Sequence, residues 1–484
     1  MLLGLDLGTT RVKALLVGED GQVGGRSSAA VRMIPVGEDG VEQDIEEIWA
    51  ATLSAIGQLA AQGDLSQVRA VGVSSQGGAL QICDAGGRPV GNIISWLDAR
   101  GRPYDAAITR ELGREWFARR AGHGGGCVSV GQLLRLREES PALVRAPNRI
   151  GFVGDVIVAR LCGRAAHDGT SLSIATLYNP WLRSADPELL DRLGIEEAQL
   201  PALLEPTTPA GPLTREAAEA TSLREGIPVS PAVHDQYASA LGIGAVHRGD
   251  LMLGTGTAWV LLAATQRLVE PVIDDAFVCT HIVEGLYGHM LSLRNGGSAF
   301  AWVADLLGVD WRDSEQVDRL LSSVPAGSDG VGSWPFLAPG TGHGLRPNTG
   351  GRLMGLRLSH GRAHLLRAVV EGLTLELARY LGFLTGAALP ANRIVMSGGA
   401  AGSRVTPQIV ADVTGLPVAT ATEPDTSALG AAVIARGLAE GAADLAALCE
   451  AMRAPVQGLE PGPDSGCYAR LLEDYVASLP LAGS

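Results

Sequence analysis

The chain has 484 residues, of which 46% are hydrophobic and 19% are charged, and its formal net charge is −14 at pH 7. This length exceeds what one hydrophobic core usually serves, so we expect two or more domains, and the composition argues against extensive disorder. The acidic balance, without a basic stripe, argues against nucleic acid or an anionic membrane surface as the main partner.

The chain opens with LLGLDLGTTRVKALLV (2–17), an apolar run, a Gly/Thr turn and a second apolar run, which predicts a β-hairpin. Glycine at such a tip lets the backbone approach phosphate, and threonine hydroxyls donate to phosphate oxygens. Asp6, two residues before Gly8, is placed to hold Mg2+ or its water shell. An ordinary β-turn with no ligand is the alternative interpretation.

Two further segments follow in the first half. VRAVGVSSQGGALQICD (68–84) predicts a strand, a glycine-rich turn and a second strand. In PVSPAVHDQYASALGIG (228–244), we predict a buried strand over 228–233 and a helix that starts near Tyr237. Asp235 lies between these two elements. A carboxylate there is either a helix N-cap or a placed catalytic group, and the cap is the commoner use.

GDLMLGTGTAWVLLAA (249–264) begins the second half and resembles the first hairpin, because aligning Gly8 with Gly254 aligns Thr9 with Thr255. The similarity suggests a duplicated architecture, with related domains over residues 1–246 and 247–484. Later segments predict a long helix within 359–381, a strand and a glycine turn around SGGAAGS (397–403), and a short final helix. The fold class is therefore α/β, with hairpins as well as parallel elements.

Several other features bear on function class and location. The six cysteines are widely spaced without a Cys-x-x-Cys pair, which is typical of reduced thiols in a cytoplasmic protein. The N-terminus lacks the basic region of a signal peptide, and no run approaches the ~20 apolar residues of a membrane helix. No Walker A loop surrounds the single lysine, Lys13, and no Gly-x-Gly-x-x-Gly opens a helix.

Taken together, the motifs resemble the FGGY family of carbohydrate kinases, and most of all its xylulokinase branch. The resemblance covers nearly the whole chain and depends on the order and spacing of DLGTT (6–10), SWLDARG (95–101), HDQYASALG (234–242), LGTGT (253–257), GGSAFAWVADLLG (296–308), RAVVEGL (367–373), MSGGAAGS (396–403) and SALGAAVIA (427–435). It implies two duplicated domains of the ribonuclease H-like, or actin-like ATPase, fold with a cleft between them. The N-terminal domain would carry the sugar side and the base, and the C-terminal domain the nucleotide side.

The resemblance also implies roles for individual residues. Asp235 would accept the proton of a sugar hydroxyl that attacks the γ-phosphate of ATP, Gln236 would help position substrate or phosphate, and Asp6 would hold Mg2+. The residues implied to face the phosphates are Gly8, Thr9, Thr10, Lys13, Gly254, Thr255, Gly256 and Thr257, although a solvated side chain is an equal alternative for Lys13. The residues implied to line the nucleoside are Gly297, Gly399, Ala400 and Ser403.

The acceptor pocket is expected from the segments around residues 76 and 96. A polyol needs paired donors and acceptors and one flat apolar wall. Gln76, Asp98 and Arg100 would supply the polar groups and Trp96 the wall, although judged alone an indole is more often core packing. Xylulokinases carry Met-His-Gly after the glutamine that matches Gln76, whereas here the next residues are Gly77, Gly78 and Ala79.

We expect the space left by these two glycines to admit a bulkier or differently oriented acceptor. Gln132 also stands where a lysine is often found in that branch. Both departures affect the acceptor side only.

Three hypotheses follow. The first is a Mg2+-dependent ATP kinase of a small sugar or polyol, with a ketopentose such as xylulose as acceptor; ribulose, another ketose, a pentitol or glycerol is the alternative. The second is a nucleotide-dependent chaperone or filament former of the same fold, and the third is a family member that binds sugar and nucleotide without turnover. A homodimer, common in the family, is carried over by analogy only.

Overall fold

The structure is a computed structural model that describes residues 1–338, 342–452 and 457–482. Its strands, in chain order, are β1 Leu2–Leu7, β2 Arg11–Val17, β3 Val23–Ala30, β4 Ile34–Val36, β5 Gly40–Gln43, β6 Val71–Ser75, β7 Leu80–Cys83, β8 Ile93–Ile94, β9 Arg149–Phe152, β10 Ala166–His167, β11 Tyr178–Asn179, β12 Ser184–Ala185, β13 Ala202–Leu203, β14 Gly211–Pro212, β15 Pro228–His234, β16 Asp250–Thr255, β17 Trp259–Thr265, β18 Phe277–Thr280, β19 Tyr287–Ser292, β20 Gly332–Trp334, β21 Arg352–Met354, β22 Arg393–Gly398, β23 Val418–Thr420 and β24 Gln457–Leu459.

The α-helices are α1 Ile45–Leu59, α2 Arg102–Leu112, α3 Arg114–Ala121, α4 Ser129–Glu139, α5 Pro141–Val144, α6 Val153–Cys162, α7 Gly169–Ile174, α8 Pro187–Leu193, α9 Arg215–Thr221, α10 Asp235–Ile243, α11 Gly297–Leu306, α12 Ser314–Ser322, α13 Arg362–Gly386, α14 Thr406–Thr414, α15 Thr426–Glu440, α16 Leu445–Met452 and α17 Ser465–Ser478. Short 3-10 turns lie at Leu65–Gln67, Glu197–Gln199, Ser328–Gly330 and Gly399–Gly402. Within these described ranges, no helix is long and apolar enough to cross a membrane.

The chain forms two compact units that are not simply its two halves. The first unit comprises Met1–Val246, Gln266–Gly288 and Asp425–Ala454, and the second comprises His247–Thr265, His289–Pro424 and Pro455–Ser484. The late segment that contains α15 and α16 therefore packs with the N-terminal part of the chain.

The main sheet of the first unit has the strand order β13-β10-β15-β6-β1-β2-β3, with β14 beside β15. The predicted N-terminal hairpin is confirmed, because β1 and β2 pair antiparallel with Asp6 opposite Lys13. Strands β1, β6 and β15 are adjacent and parallel, so their carboxyl ends meet at one edge of the sheet. In parallel α/β sheets this edge is where ligands usually bind.

The strand, glycine turn and strand predicted over 68–84 are also present, but the two strands belong to different sheets. Strand β6 lies in the main sheet, whereas β7 belongs to a sheet with the order β4-β5-β8-β7-β9. Residues 76–79 connect β6 in the main sheet to β7 in the other sheet. At the start of this connection, the Gln76 amide donates a hydrogen bond to the Leu7 carbonyl at 3.0 Å.

The second unit repeats the hairpin arrangement. Strands β16 and β17 pair antiparallel, as predicted, and β16 pairs parallel with β22, placing Thr255 opposite Gly398. The strands that lie wholly within this unit are adjacent in the order β17-β16-β22-β23-β24. The long predicted helix α13 and the final helix α17 contribute to an apolar core that includes Leu366, Val370, Tyr468 and Tyr475.

Helix α15 lies directly on the main sheet of the first unit because glycines remove the side chains between them. A Cβ atom on Gly72 of β6 would lie 1.8 Å from the Ala431 carbonyl oxygen, and one on Gly4 of β1 would lie 1.9 Å from the Ala428 carbonyl oxygen. These are backbone contacts, so no side-chain rotation can relieve them. All six cysteines are free thiols, as predicted.

We therefore expect Gly72→Ala to lower the free energy of unfolding by about 1–3 kcal/mol, the usual cost of overpacking a filled core. Gly57→Ala is the matched control. Gly57 lies in α1, and a Cβ atom added to it would have no other atom within 4 Å, so alanine there should stabilise the helix by about 0.5–1 kcal/mol. Urea unfolding of the two variants measures both effects, and a Gly72→Ala midpoint at or above that of the parent would contradict this packing.

Candidate functional site

Two carboxylates lie near each other at the carboxyl edge of the parallel strands. Asp6 is at the end of β1 and Asp235 directly follows β15, while Ser74 and Ser75 end the strand between them. Asp6 is 7% exposed, and its Oδ1 accepts a hydrogen bond from the Ser74 hydroxyl at 3.2 Å. Burial, and then the charge of Asp235, raise the pKa of Asp6 to about 7, against the opposing charge of Lys13.

Asp235 is the first residue of α10, and the N-cap position belongs to His234, which makes no side-chain cap hydrogen bond. The helix-cap interpretation of Asp235 is therefore wrong. Burial raises the pKa of Asp235 to about 6, although hydrogen bonds from the Gln236 side chain and backbone, and the charge of Lys13, act in the opposite direction. A carboxylate with a pKa raised toward neutrality is suited to accept a proton at the pH of the cell.

The tip of the first hairpin is hydrogen-bonded to the predicted acceptor side. The Thr9 hydroxyl donates to Gln76 Oε1 at 3.2 Å and accepts from Trp96 Nε1 at 3.1 Å. Gln76 Nε2 donates to Gln43 Oε1 at 3.1 Å, and Gln43 Nε2 donates to the Thr9 carbonyl at 2.8 Å. Sequence reasoning missed Gln43, because it comes from β5 and nothing in its local sequence marks it.

Trp96 is 46% exposed, so the core-packing alternative for this indole is wrong. Its ring nitrogen is held by Thr9, which leaves the exposed part of the ring as a flat apolar surface. The structure therefore brings Thr9, Gln76 and Trp96 together, as a polyol site would require.

Asp98 and Arg100 are engaged with their neighbours. Arg100 Nη2 lies 2.6 Å from Asp98 Oδ2 and 2.7 Å from Glu42 Oε1. Asp98 also accepts from the Val41 amide at 2.9 Å and from Gln132 Nε2 at 3.0 Å. Burial would raise the pKa of Asp98, but the hydrogen bonds from Arg100 and from the Val41 amide hold it below its usual value. The pair thus forms an internal ion pair that fixes the loop after β8.

The two glycines after Gln76 do not leave an enlarged space, and this expectation is corrected. A Cβ on Gly77 would lie 2.2 Å from Ile174 Cγ2 and 2.6 Å from His234 Cδ2. Gly78 has a φ of +71°, and a Cβ there would lie 2.3 Å from Val128 Cγ1. Side chains from three distant segments therefore occupy the volume that larger residues at 77 and 78 would need.

Lys13 is partly exposed and ion-paired, because its side chain is 33% exposed and its Nζ lies 3.2 Å from Asp425 Oδ1. Arg26 Nη1 lies 3.5 Å from the other oxygen of the same carboxylate. Gly8 closes the hairpin turn by donating from its amide to the Arg11 carbonyl, and the Thr10 side chain is exposed beside it. The Gly8 amide and the Thr9 hydroxyl are thus already hydrogen-bonded, and the exposed side chain at the tip is that of Thr10.

In the second unit, Thr255 joins two of the predicted segments, its own hairpin turn and the glycine turn after β22. Its hydroxyl donates to the Ser397 carbonyl at 2.6 Å and accepts from the Ala400 amide at 3.1 Å. At the exposed turn of this hairpin, the Gly297 amide donates to the Gly256 carbonyl at 2.9 Å. Gly254 lies before this turn, Thr257 within it, and Gly399 begins the 3-10 turn that follows β22.

Ser403 donates from its hydroxyl to Asp318 Oδ1 at 2.6 Å, and the Arg404 amide donates to Asp318 Oδ2 at 2.9 Å. Sequence reasoning missed Asp318. The available signal was an acidic residue on the buried face of α12, between the buried side chains of Val317 and Leu321. Among the described residues, no group of three or more His, Cys, Asp or Glu side chains forms a ready metal cage.

Two family models match consecutive parts of the chain. The model of the FGGY family of carbohydrate kinases, N-terminal domain, matches residues 1–242, and the model of the C-terminal domain of the same family matches residues 251–437. The chain is 30% identical to the glycerol kinase of Trichlorobacter lovleyi, over 91% of this chain and 90% of the relative. It is 26% identical to the xylulose kinase of Escherichia coli K12, over 90% of both chains.

Among solved structures, the xylulose kinase of Rhodospirillum rubrum is similar with a TM-score of 0.88 and 27% identity, over 98% of this chain and 97% of that one. The predicted α/β fold with two actin-like ATPase domains is thereby confirmed.

Proposed function

We propose that this chain, which belongs to the FGGY family of carbohydrate kinases, transfers the γ-phosphoryl group of ATP to a hydroxyl of a small sugar or polyol. In this reaction Asp235 is the general base. The observation that carries this proposal is the position of Asp235. It lies at the carboxyl edge of the parallel strands near Asp6, and burial raises its pKa to about 6.

The acceptor hydroxyl loses a proton as it attacks phosphorus, and Asp235 would take that proton. A base positioned within hydrogen-bond reach contributes about 10²–10⁴-fold to such a reaction. The rest of the acceleration in phosphoryl transfer comes from alignment and from neutralising the charge of the phosphates. In this proposal Gln236 positions the substrate beside the base. The hairpin tip of Gly8, Thr9 and Thr10 faces the phosphates, and the exposed Thr10 hydroxyl donates to a phosphate oxygen.

Mg2+ fits the donors at this edge. Burial, and then repulsion by the Asp235 carboxylate, raise the pKa of Asp6, and a divalent cation would relieve that repulsion. Mg2+ usually keeps several waters and uses one or two carboxylates together with substrate phosphates. We propose that Asp6 holds the ion, directly or through water, and the bound ion would neutralise charge on the phosphates of ATP.

We propose that the second unit binds the nucleotide through the segments gathered around Thr255. The exposed turn at Gly256 and Thr257 would face phosphate, while Gly297 and the stretch from Gly399 to Ser403 would line the nucleoside. The support is that these segments, far apart in sequence, are joined by hydrogen bonds: Thr255 is bonded to Ser397 and Ala400, and Gly256 to Gly297.

The acceptor that we propose is a ketopentose such as D-xylulose, bound by Gln76 and the exposed indole of Trp96. Similarity to xylulose kinases over nearly the full chain supports this choice. Glycerol is the competing acceptor, because a glycerol kinase is 30% identical over 91% of this chain. The free thiols support a reducing, cytoplasmic location.

The test is ADP release from MgATP in the presence of pentuloses, hexuloses, pentitols, aldonates and glycerol, each compared with MgATP alone. Stronger stimulation of ADP release by D-xylulose than by any other compound supports a ketopentose acceptor. Stronger stimulation by another compound would identify that compound as the acceptor and leave the kinase function in place. ATP hydrolysis that no compound stimulates would favour a protein that binds nucleotide for another purpose.

The pH profile gives a further prediction. We expect kcat/KM for the acceptor to fall as the pH drops through about 6, the pKa of Asp235, because the base must be ionised to accept a proton. The charged groups that face Asp235 are Asp6 and Lys13, and Lys13 lowers the pKa that burial raises. An activity that persists down to the ordinary carboxyl value of 3.8 would contradict this assignment.

A further inference from the structure

His234 is in direct contact with the proposed base. It is the last residue of β15, it is 5% exposed, and its Nε2 lies 3.2 Å from Asp235 Oδ1. Its amide donates to the Thr170 hydroxyl at 3.0 Å, which fixes the backbone at the start of α10. The imidazole is therefore held at the base by the same strand end that places the carboxylate.

Gly77 makes room for this imidazole. A Cβ on Gly77 would lie 2.6 Å from His234 Cδ2 and 2.9 Å from His234 Nε2, and 2.2 Å from Ile174 Cγ2. Any side chain at 77 would have to displace the edge of the ring that faces Asp235. The glycine and the histidine thus depend on each other, although they are separated by more than 150 positions in the chain.

The surroundings also fix where the single proton of the ring resides. Burial lowers the pKa of His234 to about 4, so the ring is neutral at neutral pH. Its Nδ1 is buried and has no hydrogen-bond partner among the described residues. A proton on Nδ1 would leave a buried donor unsatisfied, whereas Nε2 lies 3.2 Å from a carboxylate oxygen that can accept a proton from it once the two groups are aligned.

We propose that His234 is a positioning residue for Asp235: its neutral imidazole directs Nε2–H at Oδ1, which leaves Oδ2 for the acceptor hydroxyl, and Gly77 is required for this arrangement. The inference rests on the proposed role of Asp235 as base. In apo structures such hydrogen bonds are often poorly aligned and tighten when substrate binds.

The experiment compares His234→Gln, whose amide retains an N–H donor of similar reach, with His234→Leu, which has none. Turnover is measured with MgATP and the acceptor that gives the highest rate in the panel. We expect His234→Leu to lower kcat by about 10–100-fold, the effect of losing a hydrogen bond to a charged group, with KM for ATP unchanged. His234→Gln should recover most of the loss.

Two other variants separate positioning from packing. His281→Gln removes another buried, neutral imidazole, 7% exposed, that packs against Tyr237 instead of Asp235. It should lower stability without the specific loss of kcat. Gly77→Ala should reproduce the His234→Leu defect by displacing the ring, and combining the two substitutions should cost little more than either alone.

Nitrogen NMR of histidine-labelled protein tests the tautomer without any acceptor, with the His234→Gln spectrum assigning the signal. A proton on Nε2 is expected, and a proton on Nδ1 would overturn the inference. The inference would also be overturned if the parent, His234→Leu and His234→Gln had equal kcat values, or if both His234 variants lost kcat equally. If Asp235→Asn retains parental activity, the proposed function itself fails. If Asp235→Asn is inactive and His234→Leu is fully active, only the proposed role of His234 is refuted.

Discussion

Replacing Asp235 with asparagine is expected to lower kcat for acceptor phosphorylation by about 10²–10⁴-fold, the usual contribution of a positioned general base. The amide has nearly the same shape but cannot accept the proton of the attacking hydroxyl. KM for ATP should change little, because the interaction is lost in the transition state and not in the ground state. Steady-state kinetics with the best acceptor of the panel measures both constants.

Asp105→Asn is the matched control for this variant. Asp105 is another aspartate of the first unit whose pKa is raised by burial to about 7, and its Oδ1 accepts from the Gly131 amide at 2.7 Å. It is placed in no catalytic or binding role, so its loss should leave kcat close to the parental value. Parental turnover in Asp235→Asn, or an equal loss in Asp105→Asn, would exclude Asp235 as the base.

Replacing Asp6 with asparagine should have the second-largest effect. If Asp6 holds Mg2+ or its water shell, the amide keeps the shape and one acceptor oxygen but removes the negative charge. We expect the Mg2+ concentration for half-maximal activity to rise, or kcat to fall, by about 10–100-fold. The Ser74 hydroxyl, which bonds to Asp6 Oδ1, should still find an oxygen acceptor, so the fold is expected to survive.

A Mg2+ titration of ADP release at saturating ATP measures this effect. Asp20→Asn serves as the control, because Asp20 lies in the exposed turn after β2, where its Oδ1 accepts from the Gln22 amide at 3.1 Å. That variant should show the parental Mg2+ dependence. An unchanged Mg2+ dependence in Asp6→Asn would show that Asp6 does not hold the ion, which would then be bound by the phosphates and other donors.

Local sequence patterns were sufficient for the elements that carry the site. Both hairpins were predictable because alternating apolar runs and Gly/Thr turns specify strand and turn without reference to the rest of the chain. That Asp235 follows a buried strand was predictable for the same reason, but the helix begins at Asp235 itself and not near Tyr237. Whether Asp235 caps the helix depends on the residue at which the helix begins. Because α10 begins at Asp235, the N-cap position is that of His234.

The acceptor side could not be predicted in the same way. Sequence alone suggested that Asp98 and Arg100 face the sugar, and the structure shows them bonded to each other and to Glu42 and Gln132. Gln132, noted only as a departure from a family pattern, is one of these partners. Such pairings join segments that are far apart in the chain, and local spacing carries no information about them.

The amino-acid sequence by itself determined the family, the α/β class, the two hairpins and the acid at the strand end, because these depend on residue order within short stretches. Only the tertiary structure decided that α15 packs against Gly4 and Gly72, and that Val128, Ile174 and His234 fill the space beside Gly77 and Gly78. The volume at any point of a folded chain is set by side chains from several distant segments. A missing side chain in the sequence therefore does not reveal an empty space in the fold.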